Sequence, residues 1–228
     1  HGAAPREYTR ARSGERGMKK SLCFFGYNAG TCVYIEQQLD HYFGAQVEIE
    51  VRCLEHGGPS APIPPRDLFV ASSQTVLERI LPWLPRGAST IVAARTINTE
   101  NLDLLLDLAP GARALVVSIS EETARQTVDT INRFGFDYLE LFPYYPGMPG
   151  PLPSRIGLAI TMGNARFVPS GIEAHIDLGV RGIDVSTYTQ IVQRLKMPAE
   201  TLNAISHDYI EALLALSARR QRLARLNK

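Results

Sequence analysis

The sequence predicts an α/β protein built as two lobes of parallel sheet with a long C-terminal helix. Three observations carry that prediction. Near-continuous runs of Val, Ile, Leu and Phe alternate with helix-length segments, the pattern of parallel strands covered on both faces. Four such runs end in small polar clusters: Leu22–Phe25 before Asn28-Ala-Gly-Thr31, Leu68–Ala71 before Ser72-Ser73-Gln74-Thr75, Ile91–Ala94 before Arg95-Thr96, and Leu115–Val117 before Ser118-Ile119-Ser120. Finally, the alternation runs through a second set on the plan of the first, and a heptad pattern closes the chain.

Taken in order, residues 1–17, with Arg6, Arg10, Arg12 and Arg16 among Gly, Ser and Ala, have no apolar period and are expected to be a flexible tail before a start at Met18. A strand is predicted at 21–26, a helix at 30–43, a strand at 46–53, a Gly/Pro-rich loop at 55–66, a strand at 67–71, a helix at 74–84 and a strand at 89–94. The second set comprises a helix at 98–108 stopped by Pro110-Gly111, a strand at 113–118, a helix at 121–134, a strand at 137–142 and a turn-rich stretch from Pro143 to Pro153. A strand near 156–161, a turn at Gly163-Asn164, short apolar segments at 166–168 and 174–178, a strand at 182–185 and a helix at 186–196 follow. Residues 18–97 with 182–198 then make one lobe, 98–181 the other, and 199–228 an exit helix. The hinges fall near Thr96–Asn98 and Val180–Ser186.

In that last segment Leu202, Tyr209, Leu216 and Leu223 recur every seven residues, with Ile205, Ala212, Arg219 and Leu226 on the alternate seam. Such a seam pairs with a second copy to form a homodimer, or packs on its own domain. Arg219, Arg220, Arg222, Arg225 and Lys228 make the end basic, but a charge run on a helix is usually a solvated face, and DNA contact is not expected.

Composition limits function. With 228 residues, 45% of them hydrophobic, the chain can bury one large core or two small ones. A net charge of +1 gives no bulk attraction to nucleic acid or anionic membrane, no run approaches a membrane span, and no secretory signal is evident, so a cytoplasmic protein is expected. Cys23, Cys32 and Cys53 lack paired spacing and are expected to stay reduced.

Ligands of open parallel sheets bind beyond the carboxyl ends of the strands. The candidate ligand-binding residues are therefore Asn28, Thr31, Ser72, Ser73, Gln74, Arg95, Thr96, Ser118, Ser120 and Tyr144. Gly26-Tyr-Asn28-Ala-Gly30-Thr31 stands at a strand-to-helix turn whose free N–H groups favour an anion, although the glycines also serve a tight turn alone. Ser72 to Thr75 would meet a cleft as readily as cap a helix; Ser120 before Glu121 and Glu122 has the form of a cap. Arg95 offers a forked pair to a carboxylate or makes a surface ion pair. Tyr144-Tyr145 between Pro143 and Pro146 reads as a rigid aromatic turn that lines a pocket or plugs the core. No catalytic residue, metal or cofactor is assigned: Cys53-x-x-His56 supplies two ligands where zinc needs three or four, and no G-x-S-x-G elbow occurs. An enzyme reading, an isomerase or lyase of small carboxylic acids, would use Cys32 or Asp184 for proton transfer.

The sequence resembles a known family in its order of a strand-to-serine cluster at Asp67–Gln74, a strand and helix at Thr90–Leu108, a second unit at Arg113–Phe134, a return strand near Gly182–Val185 and a long exit helix. These are similar to the effector-sensing N-terminal domain of propionate-catabolism-type activators, which are sigma-54-dependent transcription regulators. The resemblance covers residues 18–226. It implies a two-lobe sensor like periplasmic binding proteins, a small-molecule effector, and an exit helix leading to downstream signalling or ATPase modules. Where that family tends to carry an arginine-glycine-glycine turn this chain has Ser72-Ser73-Gln74, so the resemblance implies the position of a site and not its ligand.

Overall fold

The computed structural model describes residues 19–226, and the tail predicted for 1–17 lies outside them. The chain is α/β, with two four-stranded parallel sheets, a two-stranded antiparallel ladder and a C-terminal helix. The first sheet holds β1 (Lys20–Gly26), β2 (Val47–Cys53), β3 (Leu68–Ala71) and β4 (Thr90–Val92), in the order β2-β1-β3-β4. Between them lie α1 (Ala29–Phe43) and α2 (Gln74–Ile80). After the ladder strand β5 (Arg95–Thr96), the second sheet repeats the order as β7-β6-β8-β9, from β6 (Arg113–Val117), β7 (Glu140–Tyr144), β8 (Leu158–Thr161) and β9 (Ala174–Asp177), with α3 (Glu121–Ile131) joining β6 to β7. Then β10 (Gly182–Ile183) pairs with β5, Gly182 opposite Thr96 and Ile183 opposite Arg95, before α4 (Val185–Arg194) and α5 (Thr201–Leu226).

The central strands are apolar throughout because both faces are covered. Leu22, Cys23, Phe24 and Phe25 of β1 are all fully buried. Alternation divides them: Leu22 and Phe24 join Ile35 and Leu39 of α1 and Tyr188 and Ile191 of α4, whereas Cys23 and Phe25 meet Val76 and Ile80 of α2. A separate core gathers Leu102, Val116, Ile131, Phe136, Ile160 and Leu178 around the second sheet. The helices begin where side chains accept their first free N–H groups: Asn28 for α1, Ser73 for α2, Ser120 for α3 and Asp184 for α4.

Several boundaries differ from the sequence reading. The helix at 74–84 stops at Ile80, and Leu81–Trp83 form a 3-10 turn around Pro82, which cannot donate a helical hydrogen bond. The segment at 98–108 is a 3-10 helix, Thr99–Leu105; its buried Leu102 and Leu105 are three residues apart, the spacing that eclipses on three residues per turn. The strand placed at 137–142 is β7, three residues later, because α3 runs on into a π turn at Asn132–Phe136. Gly135 kinks that turn from within at φ 86, a conformation that disfavours most side chains, and the Arg220 guanidinium fills the space where its Cβ would stand. Pro143 is thus inside β7, an edge strand that tolerates the missing N–H.

The heptad seam faces the same chain. Leu202 and Ile205 pack into the first core and Leu216 against the second, while Arg219, which breaks the apolar pattern, ion-pairs with Asp103. Arg220 stacks over Tyr138, 5.6 Å from its ring centre. Leu202, Ile205, Leu216 and Arg219 of the seam thus meet the chain's own body, and the side chains of Leu223, Leu226 and Lys228 lie outside those described. The exposed apolar residues Ile210 and Leu214 lie on its outer face.

Candidate functional site

The carboxyl ends of the two sheets approach each other at Val180. Its Cγ2 lies 4.0 Å from the position of a Cβ on Gly30, at the start of α1, and 3.2 Å from one on Gly163, just after β8. A small side chain from the crossing segment thus sits between the two edges at which ligands of parallel sheets bind.

On the first edge, much of the predicted polarity is spent on the fold. The Asn28 side chain accepts from Thr31 N at 2.8 Å, and Ala29 N donates to Glu55 Oε2 at 2.9 Å. The N-terminus of α1 therefore already holds a carboxylate, which corrects its reading as an open anion site. Thr31 itself is buried. Ser73 Oγ accepts from Val76 N at 3.3 Å, and Gln74 turns along the exposed side of α2 to donate to Glu78 Oε1 at 3.0 Å, so Gln74 is corrected from a cleft residue to a surface one. Ser72 is half-buried; its N–H extends the sheet by donating to Phe25 O at 2.9 Å, and its hydroxyl makes no hydrogen bond among the described residues.

Arg95 is the distinctive group of this edge. Strand alternation sends it and Thr96 to opposite faces of the ladder, so the two do not share a site. Arg95 Nε donates to Arg181 O at 3.0 Å and Nη2 to the same oxygen. The expected surface ion pair is absent: no carboxylate lies within ion-pair distance of Arg95 or Arg181 among the described residues. Burial lowers the Arg95 pKa to about 10, with the Arg181 charge adding to it, and burial lowers that of Arg181 as well. Two half-buried cations without a counter-charge cost free energy that an anion between them would recover.

The second edge differs. Ser118 is buried and its N–H donates to Tyr144 O at 2.9 Å. Ser120 Oγ accepts from Thr123 N at 3.3 Å, and Glu121 and Glu122 occupy the first turn of α3, which repels rather than invites an anion. Tyr144 closes β7 and packs on Leu115, Val117 and Ala159; the aromatic turn between the prolines is corrected to a strand end, and Tyr144 acts as a plug over the core. Asp177 Oδ1 accepts from Gly163 N at 2.7 Å and from Gly179 N at 3.1 Å, clamping the loops after β8 and β9.

The residues of the enzyme reading are engaged structurally. Asp184 caps α4, accepting from Ser186 N at 2.9 Å and from its hydroxyl at 2.5 Å. Burial, aided by the neighbouring Cys53 thiol, pushes Cys32 up to about 12, which withholds its thiolate at neutral pH. All three cysteines are free thiols, and among the described residues no group of three His, Cys, Asp or Glu side chains is placed to hold a metal ion.

A larger space escaped the sequence reading. A cavity of about 620 Å³ lies between α1, the ladder, α4 and α5, lined among others by Tyr34, Gln38, Thr96, Gly182, Tyr188 and Asp208. Its signal was a helical stripe on α1, in which Tyr34, Gln37, Gln38, His41 and Tyr42 follow the spacing of one helix face. Thr96 belongs here and not with Arg95. A Cβ on Gly182 would stand 2.8 Å from Nε2 of Gln38, so that side chain, whose Oε1 accepts from Ile183 N at 3.1 Å, would have to shift. A smaller space of about 260 Å³ continues along α5 beside Asp103 and Arg219.

No protein-family model, curated protein or solved structure matches this chain.

Proposed function

We propose that this chain is the effector-sensing domain of a cytoplasmic sigma-54-dependent transcription activator, and that its effector is a small organic anion. The observation that carries this reading is the pair Arg95 and Arg181, half-buried at the crossing ladder with no carboxylate partner among the described residues. Ser72, with its unengaged hydroxyl, stands on a neighbouring strand end. The two sheets form lobes like those of periplasmic binding proteins, and the anion draws them together about the crossing strands. Only an effector with higher affinity for the closed form can do this. The exit helix α5, in contact with both cores, carries the change to downstream modules. If the helix pairs with a second copy, it does so through the outer face bearing Ile210 and Leu214. The domain itself makes no contact with DNA or membrane in this scheme.

Thermal-shift and calorimetric screening with mono-, di- and tricarboxylates and phosphorylated acids tests this directly. An effector at one hundred times its dissociation constant adds about 2.7 kcal/mol of stability. Arg95→Gln and Arg181→Gln are each expected to weaken that binding at least about tenfold, since each removes a charged hydrogen-bond donor. A panel without a binder, or binding unchanged in both variants, overturns the proposal, and consumption of the bound acid replaces it with an enzyme.

A further inference from the structure

We infer that the cavity between α1, α4, α5 and the ladder is a second ligand site, separate from the arginine pair, for an organic cation carrying an aromatic body. Its volume of about 620 Å³ is that of a small-molecule pocket. Its walls exclude an anion: no arginine or lysine lines it among the described residues, whereas Asp208 and Glu211 of α5 do. Tyr34, Tyr42, Tyr188 and Tyr209 line it with aromatic rings, a side-chain type whose faces attract cations, and Ile97, Ile183 and Ile205 add apolar surface.

The side chain that points to a ligand is Tyr188. It is only 3% exposed, and its hydroxyl has no hydrogen-bond partner. Its ring is held edge-on to Tyr42 at 5.1 Å between centres, and Tyr42 in turn donates to Asp208 Oδ2 at 3.2 Å, an oxygen that His41 Nε2 also approaches at 3.3 Å. A buried hydroxyl without a partner costs about 1–3 kcal/mol, so the site is built around a group that the chain does not itself supply. Burial raises the Tyr188 pKa and keeps the hydroxyl neutral, able to donate to a ligand oxygen or accept from an ammonium.

Occupancy would have a mechanical effect. The occupant touches the ladder at Thr96 and Gly182, α1 at Gln38 and α5 at Ala212, and so ties the exit helix to the crossing strands. A cation bound there would change how α5 responds to the first effector, which is a coupling between two sites.

The test uses the whole chain with tyramine, tryptamine and spermidine as probes, and 4-hydroxyphenylacetate and indole-3-acetate as carboxylate counterparts. Measurement in the Arg95→Gln protein removes anion binding at the arginine pair from the comparison, so the two sites fail independently. An aromatic amine is expected to raise the melting temperature in a saturable way, and the carboxylates and spermidine are not. Tyr188→Phe, which keeps the ring, is expected to weaken amine binding about tenfold. Ala212→Trp, which fills the cavity from α5, is expected to abolish it while the circular dichroism spectrum is retained. The inference is overturned if neither aromatic amine binds, if the carboxylates bind equally, or if both variants bind as the parent does.

Discussion

The two sheets share one strand order and present opposite chemistry at the same edge. Beyond the first sheet stand Ser72, Arg95 and Arg181, with the Glu55 carboxylate spent on the start of α1; beyond the second stand Glu121, Glu122, Asp177 and the packed ring of Tyr144. Topology decides where a ligand would lie, and the residues of a few loops decide its charge. The positive charge comes from the crossing ladder rather than from either βα turn, so in the proposed scheme the anion would bind where the two sheets are joined.

The comparison first asks whether the halves are energetically separate. Phe24 fills the first core and Phe136 the second, and both are buried. Replacing either with alanine is expected to cost about 3–5 kcal/mol. Because α5 packs on both cores, each variant should unfold in one urea transition at a lower midpoint. Two transitions in Phe24→Ala, with only the first moved, would show that the halves fold independently.

A smaller effect separates the edges. Asp177→Ala removes two charge-assisted hydrogen bonds from the loops of the second half and is expected to cost about 2 kcal/mol. Asp184→Ala removes one cap at the start of α4, with an expected cost of about 1 kcal/mol. Equal losses would show that the Asp177 clamp acts as no more than a cap.

On the first edge, replacing the residue proposed to bind the anion should stabilise. The folded-state pKa of Arg95 is depressed to about 10 from an ordinary 12.5, so its protonated form is disfavoured in the fold at every pH below that value. Arg95→Gln is therefore expected to raise the melting temperature of the unliganded protein by about 2–4 °C, as for a gain near 1 kcal/mol in a chain of this size, while losing the response to anions. A lower melting temperature would make the arginine pair structural, held mainly through the Arg181 carbonyl.

How much of this the sequence displayed follows from the range of the forces involved. The central strands β1, β3, β6 and β8 were legible because burial on two faces writes an apolar run. The caps at Ser73 and Ser120 were legible because their partners are three residues away. Glu55 was not legible as the partner of α1, since it reaches Ala29 from 26 residues along the chain. The start of β7 depended on Gly135 and on Arg220, 85 residues later, which packs where its side chain would be. The heptad of α5 was read correctly as an apolar seam, but a seam has the same period whether it meets a second copy or its own body. The cavity at Tyr188 joins α1 to α5 across more than 160 residues, and the polar and aromatic stripe of α1 marks only one of its walls.

The smallest effect lies at the opposite, amino ends of the sheets, and it has a definite sign. In the first half Asp67 accepts from Ser21 N at 2.8 Å and from its hydroxyl at 2.9 Å, with Lys20 3.2 Å away. The Ser21 N–H, then the hydroxyl and Lys20, outweigh burial and hold the Asp67 carboxyl below its ordinary 3.8. A depressed acid contributes stability that is fully present above the unfolded-state pKa and is lost as pH falls through the lower folded-state value. In the second half the equivalent edge is fastened by Arg113, which meets Glu140 at 3.0 Å and donates to Ser154 O. Asp67→Asn should therefore lower the urea midpoint at pH 6, by a difference that shrinks as the pH is taken down towards 2 and the parent's carboxyl takes up its proton. Partial exposure limits the effect to about 0–1 kcal/mol. If the variant and the parent lose stability in parallel over that whole range, the acid response comes from other carboxylates, and the Asp67 latch adds nothing that distinguishes the first sheet from the second.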